Sequence, residues 1–276
     1  MAWHAKLELD YRKQCGRSVL RHRHIGPLRV LQSLYPEGDG ICHNVLVHPP
    51  GGLVGGDTLD IRVQVAAGAH ALITTPGATR FYRSGDAPAR QHARITLAPG
   101  ARAEWLPLEA ILYDGCLAEN RLVLELEPGA ELMAWDLSAL GLPHAGKPFL
   151  QGSFAQHLEM PGIWLERGRI DANDGRLLNS PLGLAGRRCM ANLLLAAGEP
   201  LGRDRRQLAL DLARAVVAAH PLARWAGVTS PNPRLVLLRA LGAEVEPSMQ
   251  LLRAVWSAWR LEFWQLPGHS PRIWAT

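Results

Sequence analysis

The chain has 276 residues, of which 47% are hydrophobic and 20% are charged, with a formal net charge of +5. This describes an ordinary globular protein that can bury a proper core. The 30 basic and 25 acidic residues are interspersed, which argues against a nucleic-acid-binding module, and no apolar run is long enough to span a bilayer. The 4 cysteines lie far apart without CxxC pairing, as reduced thiols do. We therefore expect a cytoplasmic protein with no membrane and no nucleic-acid partner.

A glycine-rich segment, HPPGGLVGGDTLD at residues 48–60, first suggests a phosphate-binding loop. The residues after it alternate, with Leu59, Ile61 and Val63 on one face, so a strand follows where a phosphate loop leads into a helix. The lysine that would reach the phosphates is also missing. We interpret the segment as a tight, glycine-dependent turn.

Three segments of the first half repeat one pattern around a Gly-Ala turn. The turn glycines are Gly68, Gly100 and Gly129, which are 32 and 29 residues apart. Each segment alternates between apolar and polar residues on both sides of its turn, which predicts a hairpin-like pair of half-buried strands. Because repeats of this length bury their apolar faces on their neighbours, we expect stacked, β-helix-like sheets over about residues 3–180.

The last third of the chain changes to helical periodicity. It predicts two helices with a short strand, RLVLLRAL, between them. The fold class is therefore mainly β, with stacked β-sheets of hairpin repeats and two C-terminal α-helices. We expect a single domain over 1–276, with 1–200 mainly β and 201–276 helical and packed on it. The buried stripe of the first helix is predicted at Leu208, Leu212, Ala215, Val216 and Ala219, and that of the second at Leu252, Val255, Trp256, Trp259 and Phe263.

The segment CHNVLVH, residues 42–48, is the most tempting metal cluster, since thiolate and imidazole suit nickel or zinc. In a strand, however, His43 and His48 point to opposite faces, and Cys42 and His48 stand about 20 Å apart. A local chelate is therefore excluded if the segment is extended. His43 remains a candidate metal ligand, with its other ligands supplied from elsewhere in the chain.

Two long stretches carry a resemblance to a known family. HPPGGLVGGDTLDIRVQVAAGAHALITTPGATRFYRS, residues 48–84, resembles the signature of the urease accessory protein family UreD, also called UreH. PRIWAT, with LLRAVWSAWR before it, resembles that family's ending, and AWDLSALG and WLERGRID fall where its central motifs lie. The chain departs from the family's pattern at Ser230-Pro231-Asn232.

The resemblance implies a non-enzymatic scaffold with a largely β fold and two helices. It further implies binding of UreF, recruitment of the GTPase UreG and docking on apo-urease during nickel insertion, in a hetero-oligomer with two copies of each accessory protein. Nickel would be bound transiently, with no tightly held cofactor. Since GTP belongs to the partner, the glycine-rich segment would serve to place Asp57 at the head of the first repeat.

A nickel ion that crosses the protein needs a polar route, because a hydrated divalent cation cannot cross an apolar core. Oxygen ligands hold such an ion transiently if they are few. Asp136 and Glu166 interrupt apolar sequence, where a charge is costly unless it is paired or hydrated. The candidate nickel-path residues are Asp57, Thr79, Asp136 and Glu166; if they play no such part, Glu166 would pair with Arg167 or Arg169, and Asp136 would cap a turn.

Four tryptophans near the C-terminus are candidates for a partner interface. One helix buries only one stripe, and tryptophan is enriched at interface hot spots, although core packing accounts for such residues equally well. The candidates are Trp256, Trp259, Trp264 and Trp274. A different class of function also stays open, a carbohydrate-active enzyme with carboxylates on a stacked β-sheet face, but the repeats lack an aromatic-rich platform for sugars.

Overall fold

The structure is a computed structural model that describes residues 2–275, most of them in β-strands and three α-helices. The helices are α1 (Gly175–Asn179), α2 (Arg203–Ala218) and α3 (Val245–Trp264). The strands are β1 (His4–Gln14), β2 (Arg17–Ile25), β3 (Arg29–Val30), β4 (Ile41–Val47), β5 (Thr58–Val65), β6 (His70–Thr74), β7 (Thr79–Phe81), β8 (Ala89–Leu97), β9 (Arg102–Leu106), β10 (Ala110–Leu112), β11 (Cys116–Leu126), β12 (Glu131–Leu142), β13 (Lys147–Pro148), β14 (Gly152–Met160), β15 (Trp164–Asp171), β16 (Cys189–Ala197), β17 (Ala226–Asn232) and β18 (Leu235–Gly242).

The strands form two layers. The front sheet has 7 strands in the order β15-β14-β11-β8-β5-β1-β2. The back sheet has 11 strands, ordered β17-β18-β16-β12-β9-β6-β4-β3; β10 and β13 also pair with β12, and β7 pairs with β10. The main apolar core lies between the layers, and α2 and α3 cover the outer face of the back sheet over a second core.

The stacked, β-helix-like arrangement predicted from the repeats is confirmed, and Gly68, Gly100 and Gly129 all have positive φ, at 70°, 68° and 77°. The strands of one repeat, however, do not pair with each other as a hairpin. β5, β8 and β11 pair in parallel in the front sheet, while β6, β9 and β12 pair in parallel in the back sheet. Each glycine turn therefore crosses between layers, because both strands of a repeat have an apolar face and the two faces cover each other.

The two C-terminal helices and the strand between them, β18, are present as predicted, with β17 paired beside it. The unusual Ser230-Pro231 lies at an irregularity in β17 between Thr229 and Asn232. Proline has no N–H to give to the ladder and is tolerated at such a bulge on an edge strand. Of the helices within residues 2–275, none is long and apolar enough to cross a membrane.

The buried stripe predicted for α2 is wrong, because the helix buries a different face from the predicted one. The residues that α2 buries are Ala209, Leu210, Ala213 and Val217, whereas Leu208 is 40% exposed. Small alanines face the back sheet, since they let the helix approach it closely, and the larger side chains of the predicted stripe lie at the margin or outside. The stripe predicted for α3 is confirmed at Leu252, Val255, Trp256 and Trp259, which are all fully buried, whereas Phe263 is only partly buried and packs against the second core.

Candidate functional site

The apolar core between the two sheets contains a row of polar side chains. Asp136 lies on β12 of the back sheet, only 8% exposed, and its carboxylate faces the front sheet. Asn120 on β11 donates to Asp136 Oδ1 at 2.7 Å, and Gln156 on β14 donates to Oδ2. Asp136 therefore does not cap a turn: its carboxylate bridges the two layers through two amides.

The row continues toward β8 and β7. Gln91 Nε2 lies 3.4 Å from Asn120 Oδ1, and Thr79 Oγ1 lies 3.5 Å from Gln91 Oε1. Strand register explains this alignment, because Asn120 stands directly opposite Gln91 on one side and Gln156 on the other. We call the five residues Thr79, Gln91, Asn120, Asp136 and Gln156 the polar row.

A second polar ladder lies across the back sheet. Asn192 stands directly opposite Asp136 on one side and opposite Arg239 on the other. The Arg239 guanidinium binds Glu166 of β15, with Nε 2.9 Å from Oε2. Glu166 thus pairs neither with Arg167 nor with Arg169, and it closes the polar region at the β15 side of the two sheets.

The electrostatics of Asp136 follow from this environment. Burial raises its pKa, the hydrogen bonds from Gln156 and Asn120 oppose that change, and the negative charge of Glu166 adds to it. The result is a pKa of about 6, well above the usual 3.8. At neutral pH the carboxylate is therefore ionised, but burial makes its charged form less stable than it would be in water. A cation beside it would stabilise that charged form.

At the Thr79 end, the polar row meets a cavity of about 270 Å³. Its walls include the glycine-rich segment from His48 to Leu53, the loop at residues 75–80, Gln91 and Trp105. His48 Nδ1 is buried without a hydrogen-bond partner among the described residues. Burial lowers the pKa of His48, although the charge of Asp57 works in the opposite direction. The cavity therefore offers a neutral imidazole and a hydroxyl at the mouth of the row.

Asp57 holds the glycine-rich segment in shape. Its Oδ1 accepts from the Trp3 N–H at 2.8 Å, and its Oδ2 accepts from the Val54 N–H at 3.0 Å. The glycines serve the same turn, since a Cβ at Gly52 would lie 2.3 Å from the Tyr82 ring. Both oxygens of Asp57 are thus engaged by the backbone, and the residue lies outside the polar row.

His43 lies in a separate buried network on the helix side of the back sheet. Its Nε2 is 2.9 Å from Glu37, and Glu37 binds Arg260 of α3 at 2.6 and 2.8 Å. Burial raises the pKa of Glu37, but hydrogen bonds from His43 and Arg260 outweigh it and lower the pKa to about 2. Arg260 also binds Glu104, which accepts from Trp256 at 2.7 Å.

These contacts occupy His43, whose role as a metal ligand stays a prediction. The His43 ring contacts the Glu37 carboxylate, and Arg260 neutralises the charge of that carboxylate. No unpaired negative charge therefore remains beside His43 to attract a cation. Within residues 2–275, no group of three or more His, Cys, Asp or Glu side chains is placed to hold a metal ion.

Three of the four C-terminal tryptophans are core residues. Trp256 and Trp259 are fully buried, and Trp264 is nearly so, with its indole N–H donating to Glu131 at 2.6 Å. Trp274 is half-buried, packs against Trp135 and donates to Thr74 Oγ1 at 2.8 Å. Because the rings of Trp256, Trp259 and Trp264 are buried, they do not lie on a surface that a partner could contact. Of the four tryptophans, only Trp274 has a substantial exposed part.

Sequence reasoning missed the neutral members of the polar region: Gln91, Asn120, Gln156 and Asn192. A signal was available, because each is a polar residue whose neighbours two residues away are apolar and buried or partly buried, as in Ala118-Asn120-Leu122. Amides in inward-facing positions of consecutive strands must find partners in one another. Charge does not mark such positions, because an amide side chain is neutral.

Comparison with known proteins matches residues 4–275 to the UreD urease accessory protein family. The chain is 66% identical to the urease accessory protein UreD of Albidiferax ferrireducens over 275 residues, and 64% identical to that of Variovorax paradoxus over 276, each match covering 100% of both chains. A relative from Methylibium petroleiphilum is 52% identical, again with 100% of both chains covered. The resemblance of residues 48–84 and of the C-terminal motifs is therefore confirmed, and the chain belongs to the UreD family of urease accessory proteins.

Proposed function

We propose that the chain is a non-enzymatic maturation factor that, with UreF and the GTPase UreG, docks on apo-urease in the cytoplasm and supports nickel insertion. Membership of the UreD family supports the role in urease maturation. Nickel is the cargo and is held only in transit. The observation that carries the proposal is the buried carboxylate of Asp136 within a row of polar side chains between the sheets.

The chemistry of the row suits passage of a cation. A divalent ion needs oxygen or nitrogen ligands wherever water is excluded, and uncharged amide oxygens supply them without trapping the ion. Gln91, Asn120 and Gln156 offer three such oxygens, while Asp136 offers the single carboxylate of the row. One charge in the middle of a neutral route favours entry of the ion but holds it weakly.

The two ends of the route have different characters. The cavity beside Thr79 is wide enough for several waters, so a hydrated ion can enter there. At the other end, Glu166 is paired with Arg239, and an arriving cation competes with the guanidinium for the carboxylate. In this proposal Asp57 acts indirectly, because it holds the glycine-rich wall of the cavity.

The proposed assembly contains two copies of each accessory protein. We propose that the chain contacts UreF through the outer surface of the two C-terminal helices, where Leu208 of α2 is 40% exposed and Leu261 of α3 is 58% exposed. Since α2 and α3 pack against each other, these two leucines would offer a partner helix an apolar contact. Mass measurement of the purified complex tests the stoichiometry.

The decisive experiment compares Asp136→Asn and Asp136→Leu with the wild-type chain in urease activation. Apo-urease is incubated with the accessory proteins, GTP and Ni²⁺, and the urease activity that develops is measured. We expect activation to fall about tenfold or more, equivalent to at least about 1.4 kcal/mol on the limiting step, while UreF co-purification is unchanged. Both variants remove the charge, and Asp136→Asn does so without change of shape.

Asn44→Leu is the matched control, since Asn44 is a buried polar residue between the same sheets but outside the row. It should activate urease like the wild type in proportion to the folded chain present. Full activation by an Asp136→Leu, Glu166→Leu double variant would overturn the polar route. Loss of UreF binding by Asp136→Asn would assign the residue a structural role instead.

A further inference from the structure

The sequence Arg-His-Arg-His at residues 21–24 lies on β2, the edge strand of the front sheet. Within the described residues β2 has a ladder partner on one side, β1, and on its other edge Ser18 donates its N–H to Asp39 O. Alternation along the strand places Arg21 and Arg23 on one face and His22 and His24 on the other. The two histidines continue the face of Leu20, which packs on the core, but both are themselves exposed.

The two imidazoles stand side by side. Their ring centroids are 6.2 Å apart, and their planes differ by 21°. A metal ion binds in the plane of an imidazole ring, about 2 Å from one nitrogen, so rings that are stacked as these are must turn before both can bind one ion. Both side chains are exposed and lie next to each other on one face of the strand, so rotation about their side-chain bonds can turn one nitrogen of each ring toward a shared ion.

Neither ring is committed to another group. His43, His70 and His157 each bind a carboxylate within 3 Å, at 2.9, 2.9 and 2.7 Å. His22 and His24, in contrast, have only their mutual ring contact among the described residues. Their nitrogens are therefore available to a ligand from solvent.

We propose that His22 and His24 together form a surface site for a late first-row divalent cation, such as Ni²⁺ or Cu²⁺. Imidazole is a preferred ligand of these ions, and two imidazoles on alternate positions of a rigid strand bind as a chelate. Water completes the coordination, so the site exchanges its metal readily. It shares no residue with the polar row and stands whether or not that row carries nickel.

The site is tested on the full-length chain with each metal alone. Electron paramagnetic resonance with less than one equivalent of Cu²⁺ counts nitrogen ligands through their hyperfine splitting, and titration calorimetry measures Ni²⁺ affinity. We expect two nitrogens in the wild type, one in His22→Ala or His24→Ala, and none in the double variant. Nickel affinity should fall about tenfold or more in each single variant, since even loss of a group that merely orients a ligand costs about 10- to 100-fold.

Two control variants isolate the pair. Arg23→Ala removes a neighbour on the opposite face, and His144→Ala removes an exposed histidine that pairs with Glu244 at 3.3 Å. Both should bind Cu²⁺ and Ni²⁺ like the wild type. The proposal is overturned if the double variant keeps the nitrogen count and nickel affinity of the wild type, or if His144→Ala weakens binding as much as His22→Ala does.

Discussion

Asp136 combines a cost to stability with the chemical role that we propose for it. Its pKa of about 6 in the folded chain exceeds the unfolded value of 3.8, so folding favours the protonated form. The free energy of unfolding therefore falls as pH rises from about 4 to about 6, by up to about 3 kcal/mol. Asp136→Asn lacks this titration, and we expect it to be more stable than the wild type above pH 6 and equal to it near pH 4. Urea unfolding from pH 4 to 8 measures the difference.

A variant that is more stable at pH 7 yet defective in urease activation would separate the function of Asp136 from folding. Asp86→Asn, at an exposed position, is the control and should leave the pH profile unchanged. If the Asp136→Asn and wild-type curves run parallel across the whole pH range, the carboxylate does not carry the cost that its burial implies.

At the scale of elements, the turns between the layers depend on glycine. Gly100 has φ of 68° with no atom within 4 Å of an added Cβ, so a side chain there meets no steric obstacle apart from its own backbone. Gly100→Val should lower the free energy of unfolding by about 1–2 kcal/mol, the cost of the left-handed conformation for a residue with a Cβ. Gly77→Val is the control, because Gly77 is equally open and needs no positive φ. Equal stability of the two variants would contradict the turn assignment.

The attachment of α3 depends on the buried charges around Arg260. Glu37→Gln removes one of its two carboxylate partners, and we expect a loss of about 3 kcal/mol at pH 7, since breaking a buried pair leaves a charge uncompensated. The pKa of Glu37 is lowered from 4.5 to about 2, so its contribution is complete above pH 4.5 and disappears as pH falls to 2. Chemical denaturation at pH 7 and pH 3 measures how much Glu37→Gln lowers the free energy of unfolding and how that loss depends on pH. The prediction is refuted if the loss at pH 7 is no larger than the loss caused by Glu127→Gln, at an exposed position.

At the scale of the whole molecule, the proposed assembly with UreF uses the outer surface of α2 and α3. A Leu208→Glu, Leu261→Glu double variant should reduce UreF co-purification about tenfold or more while the chain remains folded, because each charge would have to be desolvated in the interface. Leu182→Glu, at a position 99% exposed, is the control and should bind normally. Unchanged UreF binding by the double variant would move the interface away from α2 and α3.

Local patterns in the sequence were sufficient for much of the fold. Alternation around Gly68, Gly100 and Gly129 identified strands and turns, since the period of two reports which face is buried. Helical spacing located α2 and α3, and the motif at residues 48–84 identified the family. These signals are encoded in residues close together along the chain.

Which strands pair, and how deeply a side chain is buried, depend on contacts between residues that are distant in sequence. Whether two strands beside a turn form a hairpin or cross between layers depends on neighbours about 30 residues away, and alternation is the same in both cases. Asp136 and Glu166 interrupt apolar sequence, which marks them in the sequence, but the amides that surround Asp136 come from β11 and β14, and the guanidinium that binds Glu166 comes from β18. The tryptophans were ambiguous for the same reason: a side chain becomes core or surface only when a second element covers it, and the back sheet covers Trp256 and Trp259.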